Sequence, residues 1–273
     1  MQLEGKVAVI TGGASGIGKG TAMAMARLGT HVVIADVNDR RLEETGAELA
    51  ACGSRVLTVH CDVSKEADLQ RLAQVTRKEM GPVDILMNNA GVVLRGALEQ
   101  ITMADWEWLL GINVLGVIHG IRAFLPEMLA RRSGYIINTA SIAGLVALTG
   151  EGAPYIASKF AVVGLSEALA LYARPRGIEV SVLCPGSVET NLDETERVVG
   201  MTPEHSQAEA VLSGVFHSVL MTPEQIGAIV VEAVQQHRFF ILPDEWQHAV
   251  ILQRAQDLNA FLEARLFGLP PST

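Results

Sequence analysis

Tyr155 and Lys159 stand four residues apart in Tyr155-Ile156-Ala157-Ser158-Lys159, so on a helix a phenol and an amine share one face. Alcohol oxidation needs a base for the hydroxyl proton while hydride leaves. A free tyrosine is a poor one, because its pKa is about 10. Lowering it by ~3 units takes roughly 4 kcal/mol, and a cation ~4 Å away at an effective dielectric of ~20 supplies about that much. Tyr155 and Lys159 are therefore a candidate acid/base couple. Tyr-x3-Lys also arises by chance on exposed helices, so the pair has to be judged with its surroundings. Ser141, 14 residues before Tyr155, ends the run Ile136-Ile137-Asn138-Thr139-Ala140-Ser141. A hydroxyl there can hydrogen-bond a substrate oxygen and stabilise developing charge; Thr139 is the rival hydroxyl.

A hydride needs an acceptor. Thr11-Gly12-Gly13-Ala14-Ser15-Gly16-Ile17-Gly18 follows an apolar run, as expected of a seat for a dinucleotide. Gly12 permits the tight turn, Gly16 lets the backbone approach a pyrophosphate, and Gly18 allows close helix–strand packing. The helix that begins in Ser15-Gly16-Ile17 offers unpaired N–H groups and a positive dipole end to the phosphates. The spacing, Gly-x3-Gly-x-Gly, differs from the GxGxxG fingerprint, and turn chemistry alone is the other reading. Asp36 ends the second predicted strand, 18 residues past Gly18. An acid there hydrogen-bonds ribose hydroxyls and repels a 2′-phosphate. Neither Ser15 nor Val37 is basic, so the expected cofactor is NAD rather than NADP. Asp36 could equally cap the helix from Asn38 onward, and the two roles are compatible.

The elements that must position these groups are short β-branched runs alternating with helical patterns. Strands are predicted at Val7–Ile10, Val32–Ala35, Val56–Val59, Ile85–Met87, Tyr135–Asn138 and Val180–Leu183, with a last one at Phe239–Leu242. They are apolar without alternation, as in a sheet covered on both faces. Helices are predicted near 16–28, 39–51, 65–80, 103–131 and 155–173, with Ser64 and Thr102 as N-caps and Pro175 as a terminator. Thr222-Pro223-Glu224 starts another helix, and Asp244 caps a final one carrying an apolar stripe of Ile251, Ala255, Leu258, Leu262 and Leu266. The β-α-β rhythm predicts an α/β fold of the Rossmann type: a doubly wound parallel sheet of seven strands with helices on both faces, plus a C-terminal helical extension over 243–273. With no linker or repeat, residues 1–273 read as one domain. Within it 191–221, with a short helical stretch after Pro203, is the expected substrate lid.

Composition excludes other classes. The net charge is −9 and only 21 Lys and Arg occur, with no basic cluster, which argues against nucleic acid. A hydrophobic content of 49% supports a well-buried core. No apolar run is expected to reach the length of a membrane span, and Met1–Lys6 lacks a signal-peptide pattern. Cys52, Cys61 and Cys184 have no metal-type or CxxC spacing, so no metal is expected and they read as reduced thiols of a cytoplasmic protein.

The glycine turn and the Tyr155/Lys159 pair, about 140 residues apart in this order, resemble the short-chain dehydrogenase/reductase family. The resemblance is dense over residues 3–190 and weaker over 222–242. The family's own glycine turn is TGxxxGxG, which the departure noted above matches. Cys61-Asp62-Val63 resembles the family's adenine-contacting pair, Asp62 and Val63. Asn88-Asn89-Ala90-Gly91 matches the family's NNAG, in which Asn stabilises the sheet centre and Ala-Gly lets the ribose approach. The resemblance implies that Lys159 binds the nicotinamide ribose and relays protons. It also implies that Asn113, in Ile112-Asn113-Val114, keeps a water linked to that lysine; a satisfied structural Asn is the alternative. Pro185-Gly186, with Val188 and Thr190, implies the loop that holds the nicotinamide carboxamide. The Ser141–Tyr155 spacing is one residue longer than usual, with the extra residue in Leu148–Ala153.

The expectation is thus an NAD-dependent oxidoreductase interconverting a secondary alcohol and a ketone, with Tyr155 as acid/base, Lys159, Ser141 and Asn113. Its rivals are reduction of a C=C or 3-oxoacyl substrate on the same scaffold, and a non-catalytic NAD(H)-binding regulator. The family's two long helices imply a homodimer or homotetramer, with Gly111, Gly116 and Gly120 allowing close helix approach. A rim of Ile142, Leu145, Val146, Leu148, Val188 and Leu192, with no Lys or Arg over 141–158 and only Arg197 over 191–221, points to a bulky, neutral, hydrophobic alcohol or ketone. The other reading is that these side chains are core.

Overall fold

The computed structural model describes residues 1–147, 149–200 and 220–266. The predicted lid helix after Pro203, and Leu148 of the predicted rim, lie outside the described residues.

Seven parallel strands form the central sheet. In chain order they are β1 (Val7–Thr11), β2 (His31–Asp36), β3 (Val56–His60), β4 (Ile85–Asn88), β6 (Gly134–Thr139), β7 (Ile178–Leu183) and β9 (Phe240–Ile241). Their spatial order is β3-β2-β1-β4-β6-β7-β9. The expected doubly wound sheet is therefore present, each strand within two residues of its predicted bounds. Every residue of β1 and β6 is buried, as unbroken apolar runs require when both faces are covered, whereas the edge strand β3 is only partly so. A separate two-stranded parallel ribbon pairs β5 (Leu94–Gly96) with β8 (Arg197–Val199). Three-residue strands with charges in them carry no periodic signal, so sequence reasoning does not find them.

Helices α1 (Gly16–Ala26), α2 (Asp39–Ala50) and α3 (Glu66–Glu79) match expectation. The N-cap of α3 is Lys65 rather than Ser64, whose hydroxyl instead donates to Asp62 Oδ1 at 2.7 Å. A capping carboxylate two residues back competes for that hydroxyl. The predicted helix 103–131 is three pieces: α4 (Met103–Leu110), a π-helical turn over Gly111–Leu115, and α5 (Gly116–Arg131). Thr102 caps α4 as expected, accepting from Asp105 N–H at 3.2 Å. Helix α6 (Ala153–Ala173) starts with Pro154 in its first turn and gives way at Arg174–Arg176 to a tighter turn around Pro175.

The two long helical stretches, Met103–Arg131 and Ala153–Arg176, are long and apolar enough to cross a membrane, contrary to the sequence expectation. Here they are layers of the α/β sandwich, contributing Val117, Phe124, Met128, Val162 and Leu169 to the core on one sheet face. Gly116 and Gly120 do not prepare a helix–helix interface. A Cβ on Gly116 would come within 2.8 Å of Val63, and one on Gly120 would overlap the Asn88 carboxamide, so both glycines let α5 sit down on its own sheet.

The opposite face is covered by α1, α2 and α7 (Pro223–Gln235). α1 and α7 cross at Gly20 and Gly227: a Cβ on Gly20 would overlap the Pro223 carbonyl, and one on Gly227 the Gly20 carbonyl. The C-terminal extension is two helices, α8 (Glu245–Gln256) and α9 (Leu258–Leu266), broken at Asp257, whose backbone is extended. The predicted stripe is not the buried face: Leu258, Leu262 and Leu266 are more than half exposed, while Gln247, Val250 and Phe261 are buried. The break at Asp257 rotates the second segment out of phase with the first.

Candidate active site

The site lies where strand order reverses. β1 sits between β2 and β4, and the carboxyl ends of β1 and β4 leave the crevice in which open parallel sheets bind ligands. Asn89 fastens the two turns that leave these strands: its amide Nδ2 donates to Thr11 O (3.1 Å) and Gly12 O (3.2 Å), and its backbone N–H donates to Thr11 Oγ1 (2.9 Å). Behind it, Asn88 Nδ2 donates to Asn138 Oδ1 and Asn138 Nδ2 to Ser166 Oγ, a buried chain tying the sheet centre to α6.

A cleft of ≈330 Å³ runs from this crevice in both directions. Gly12, Ser15, Gly16 and Ile17 form one wall. The backbone is closely approached here: a Cβ on Gly12 would lie 2.9 Å from Ala90 Cα, and one on Gly16 3.0 Å from Thr190. Ser15 is the N-cap of α1 but makes no side-chain capping bond. Gly18 lies behind the wall, where a Cβ would overlap Gly12 O; its part is packing. Asn89, Ala90 and Gly91 form the facing wall, and Pro185, Gly186, Val188 and Thr190 the roof.

Asp36 and Asp62 line one end. The Asp36 carboxylate accepts from Ala14 N–H (3.3 Å) and Asn38 N–H (3.1 Å), while Asn38, not Asp36, caps α2 by accepting from Arg41 N–H. Of the two readings of Asp36, helix capping is thereby set aside. Val63 is buried behind Asp62, against Gly116, with its carbonyl accepting from His119, and does not line the cleft.

Ser141, Tyr155 and Lys159 meet at the other end. Ser141 heads a tight turn, accepting from Ala143 N–H at 3.1 Å, and shares this end of the cleft with the Tyr155 phenol. Thr139, the rival hydroxyl, also lines the cleft but donates to Asn89 Oδ1. Lys159, only 5% exposed, donates to Thr139 O at 3.1 Å and stands 5.5 Å from the Tyr155 ring centroid. The expected ~4 Å cation lowering the phenol pKa is therefore not what this arrangement gives. Burial holds the Tyr155 phenol above its ordinary range, with the nearby Ser141 hydroxyl pulling the other way. Burial also pushes Lys159 down to about 8. Desolvation exceeds pair attraction because both groups are deep and separated by more than a contact.

Asn113 sits beneath this end in the π-helical turn. Its Nδ2 donates to Val92 O (3.0 Å) and Ser158 Oγ (3.1 Å), and its Oδ1 accepts from Val92 N–H (2.9 Å). It has no direct bond to Lys159. A Cβ on Gly91 would come within 3.3 Å of Asn113 Oδ1 and 3.5 Å of Lys159 Nζ, so the absence of a side chain at 91 keeps the lysine reachable from the cleft.

Comparison with known proteins accords with this geometry. The family model for short chain dehydrogenases matches residues 6–198. The chain belongs to the short-chain dehydrogenase/reductase family. It is an oxidoreductase of that family, and several relatives are similar over most of their length. The 3beta-hydroxysteroid dehydrogenase 2 of Eggerthella lenta is 38% identical over 231 residues, 83% of this chain and 86% of that one. The D-beta-hydroxybutyrate dehydrogenase of Cupriavidus necator is 33% identical over 245 residues, 86% of this chain and 95% of that one. A short chain dehydrogenase/reductase from Burkholderia phymatum, solved in complex with NAD, superposes with a TM-score of 0.86 at 34% identity, covering 100% of this chain and 98% of that one.

The family motifs account for most of the cleft, but not all of it. Ile142 and Val146 are core, packed with Val250 and Phe261 under the C-terminal helices. Of the described residues of the predicted rim, only Val188 and Leu192 line the cleft; Val92, Ile112 and Thr195 join them. Arg41 also lines it, beside Asp36, and no sequence motif marks it.

Proposed function

We propose that this oxidoreductase interconverts a secondary alcohol and a ketone with NAD as cofactor, on a neutral, largely apolar substrate. The observation that carries the reading is the meeting of Ser141, Tyr155 and Lys159 at one end of a cleft whose other end holds Asp36. Gly12 and Gly16, closely packed against Ala90 and Thr190, fit the passage of a pyrophosphate past the uncapped start of α1. Asp36 fits the ribose hydroxyls and opposes a 2′-phosphate. NAD, when bound, supplies the chemistry of accepting the hydride or returning it.

The chain's own groups handle the proton. Tyr155 takes it from the alcohol, or gives it to the ketone, through the phenol oxygen. Ser141 shares the substrate oxygen and stabilises charge as it develops. Lys159, reachable past Gly91, holds the nicotinamide ribose. Asn113 contributes by holding Val92 and Ser158 around the lysine. The buried Tyr155 phenol would ionise more readily beside a bound cationic nicotinamide.

The apolar substrate follows from the wall. Val92, Ile112, Val188 and Leu192 give the cleft apolar lining, and Arg197, the one Lys or Arg of the lid, stacks 3.7 Å above the Trp108 ring and pairs with Asp105 at 3.5 Å instead. A carboxylate substrate would lack a cation there. The two relatives above are named for a steroid alcohol and a small hydroxy acid, so family membership does not set substrate size. The test is NADH titration followed by initial rates over secondary alcohols of graded size, with Tyr155→Phe as control. NADH binding and a kcat/KM that rises with apolar size support the reading; an optimum at short anionic members rejects the substrate class, and NADH binding without any turnover returns the protein to the regulator class.

A further inference from the structure

A guanidinium in this cleft is at odds with an NAD preference, and Arg41 supplies one. It projects from the first turns of α2 into the cleft end that holds Asp36, Val37 and Asn38. The other cleft-lining cation, Lys159, lies at the Tyr155 end. A guanidinium is the side chain best suited to a phosphate, and nothing on α2 neutralises this one: the nearby Glu44 pairs with Arg40. The partner comes from the far side of the cleft. Arg41 Nη2 donates to both carboxylate oxygens of Glu194, at 2.8 and 2.6 Å, across 153 residues of sequence. Glu194 lies in the short helical turn Asn191–Thr195 that follows the roof of the cleft. Asn191 Nδ2 donates to Glu194 Oε1 at 2.6 Å and so aims the carboxylate. The guanidinium and Asn191 together hold the Glu194 carboxyl below its usual range, so it stays ionised at neutral pH.

We infer that Glu194 is a specificity-determining residue: by engaging Arg41 it denies a 2′-phosphate the one guanidinium within the Asp36 end of the cleft, and so enforces NAD over NADP from the lid side. The inference rests on the proposed NAD-binding role of this cleft. Asp36 acts on the 2′ position by repulsion; Glu194 acts by withholding the attraction that would offset it. Discrimination against a wrong ligand is then built from two negative groups on distant segments, beside the contact of Asp36 to the ribose hydroxyls of the right one.

Calorimetric titration with adenosine 2′,5′-bisphosphate and with 5′-AMP tests this, because the two differ only in the 2′-phosphate. In Glu194→Gln the bisphosphate should gain about tenfold in affinity relative to 5′-AMP, the size of one charge-assisted contact. In Glu194→Gln/Arg41→Gln the gain should disappear. An unchanged ratio in Glu194→Gln, with 5′-AMP still binding, overturns the inference and leaves the NAD site standing. A gain that persists in the double variant also overturns it, because the effect would then be loss of a negative charge rather than release of Arg41. Failure of the unmodified protein to bind either 5′-AMP or NADH overturns both this inference and the reading beneath it.

Discussion

Lys159 is expensive to keep. A lysine at 5% exposure, shifted from 10.5 to about 8, is destabilised in the folded protein by its own charge. Between about pH 8 and 10.5 the unfolded chain binds more protons at this site than the folded one, so stability rises with pH across that window. Below pH 8 the penalty is fully present. Lys159→Met should therefore raise Tm at pH 7, by an amount reflecting at most about 3 kcal/mol, and the advantage should shrink towards pH 10 while activity is lost at both. A lower Tm at pH 7 would mean that the Thr139 hydrogen bond outweighs desolvation. Tyr155→Phe should cut kcat by several orders of magnitude and leave NADH affinity within a few-fold, since only the phenol oxygen does chemistry; a stopped-flow binding trace beside steady-state rates checks both halves. Replacing Asp36 with Ser and Val37 with Arg should shift the kcat/KM ratio toward NADP. The identities of these residues are legible in sequence because the chemistry permits few residue types. Their proton affinities are not: the fall of Lys159 and the rise of Tyr155 come from burial that no spacing reveals.

Among the elements, the π-helical turn at Gly111–Leu115 does the most for its length. It breaks what reads as one helix and carries Asn113, which satisfies the buried N–H and C=O of Val92. Asn113→Ala would leave both groups unpaired at about 1–3 kcal/mol each, so Tm should fall and turnover with it; a melt unchanged from the parent protein would contradict the bracing role. Gly120→Ala sets two effects against each other. Alanine favours helix by about 1 kcal/mol, but its Cβ would overlap the Asn88 carboxamide and disturb the chain to Asn138 and Ser166. Overpacking of this kind costs about 1–3 kcal/mol, so destabilisation should win in a chemical denaturation curve. The sheet strands are legible because they are buried on both faces and their apolar runs are unbroken. The ribbon of β5 and β8, the π turn and the kink at Asp257 are not, because each depends on a partner far away in sequence or on a one-residue change of phase. The buried Gln247 is a further case: its Nε2 donates to Cys184 O at 2.9 Å, so the C-terminal extension braces the Pro185-Gly186 roof through a residue that sequence would assign to a solvated helix face.

At the scale of the whole molecule, the outer faces of α4, the π-helical turn and α6 leave apolar side chains in water: Leu171 is 81% exposed, and Met103, Leu115 and Tyr172 are about half exposed or more. The homodimer or homotetramer that the family resemblance implies would cover this surface, so Leu171→Arg should lower the mass seen by light scattering at micromolar concentration; a monomeric parent protein would rule such an assembly out. The crossing of α1 and α7 bears on how the chain is made. Gly20 and Gly227 touch, and Ala22, Met25 and Ala26 find their cover in Ile226, Val230 and Val234. Those partners leave the ribosome some 207 residues after Gly20, or about 10–40 s later at a synthesis rate of ~5–20 residues per second. For that interval the helix that begins the glycine turn has an uncovered apolar flank. The nascent N-terminal half is thus a natural client for chaperones, and a chain released near residue 200 should be recovered in the insoluble fraction.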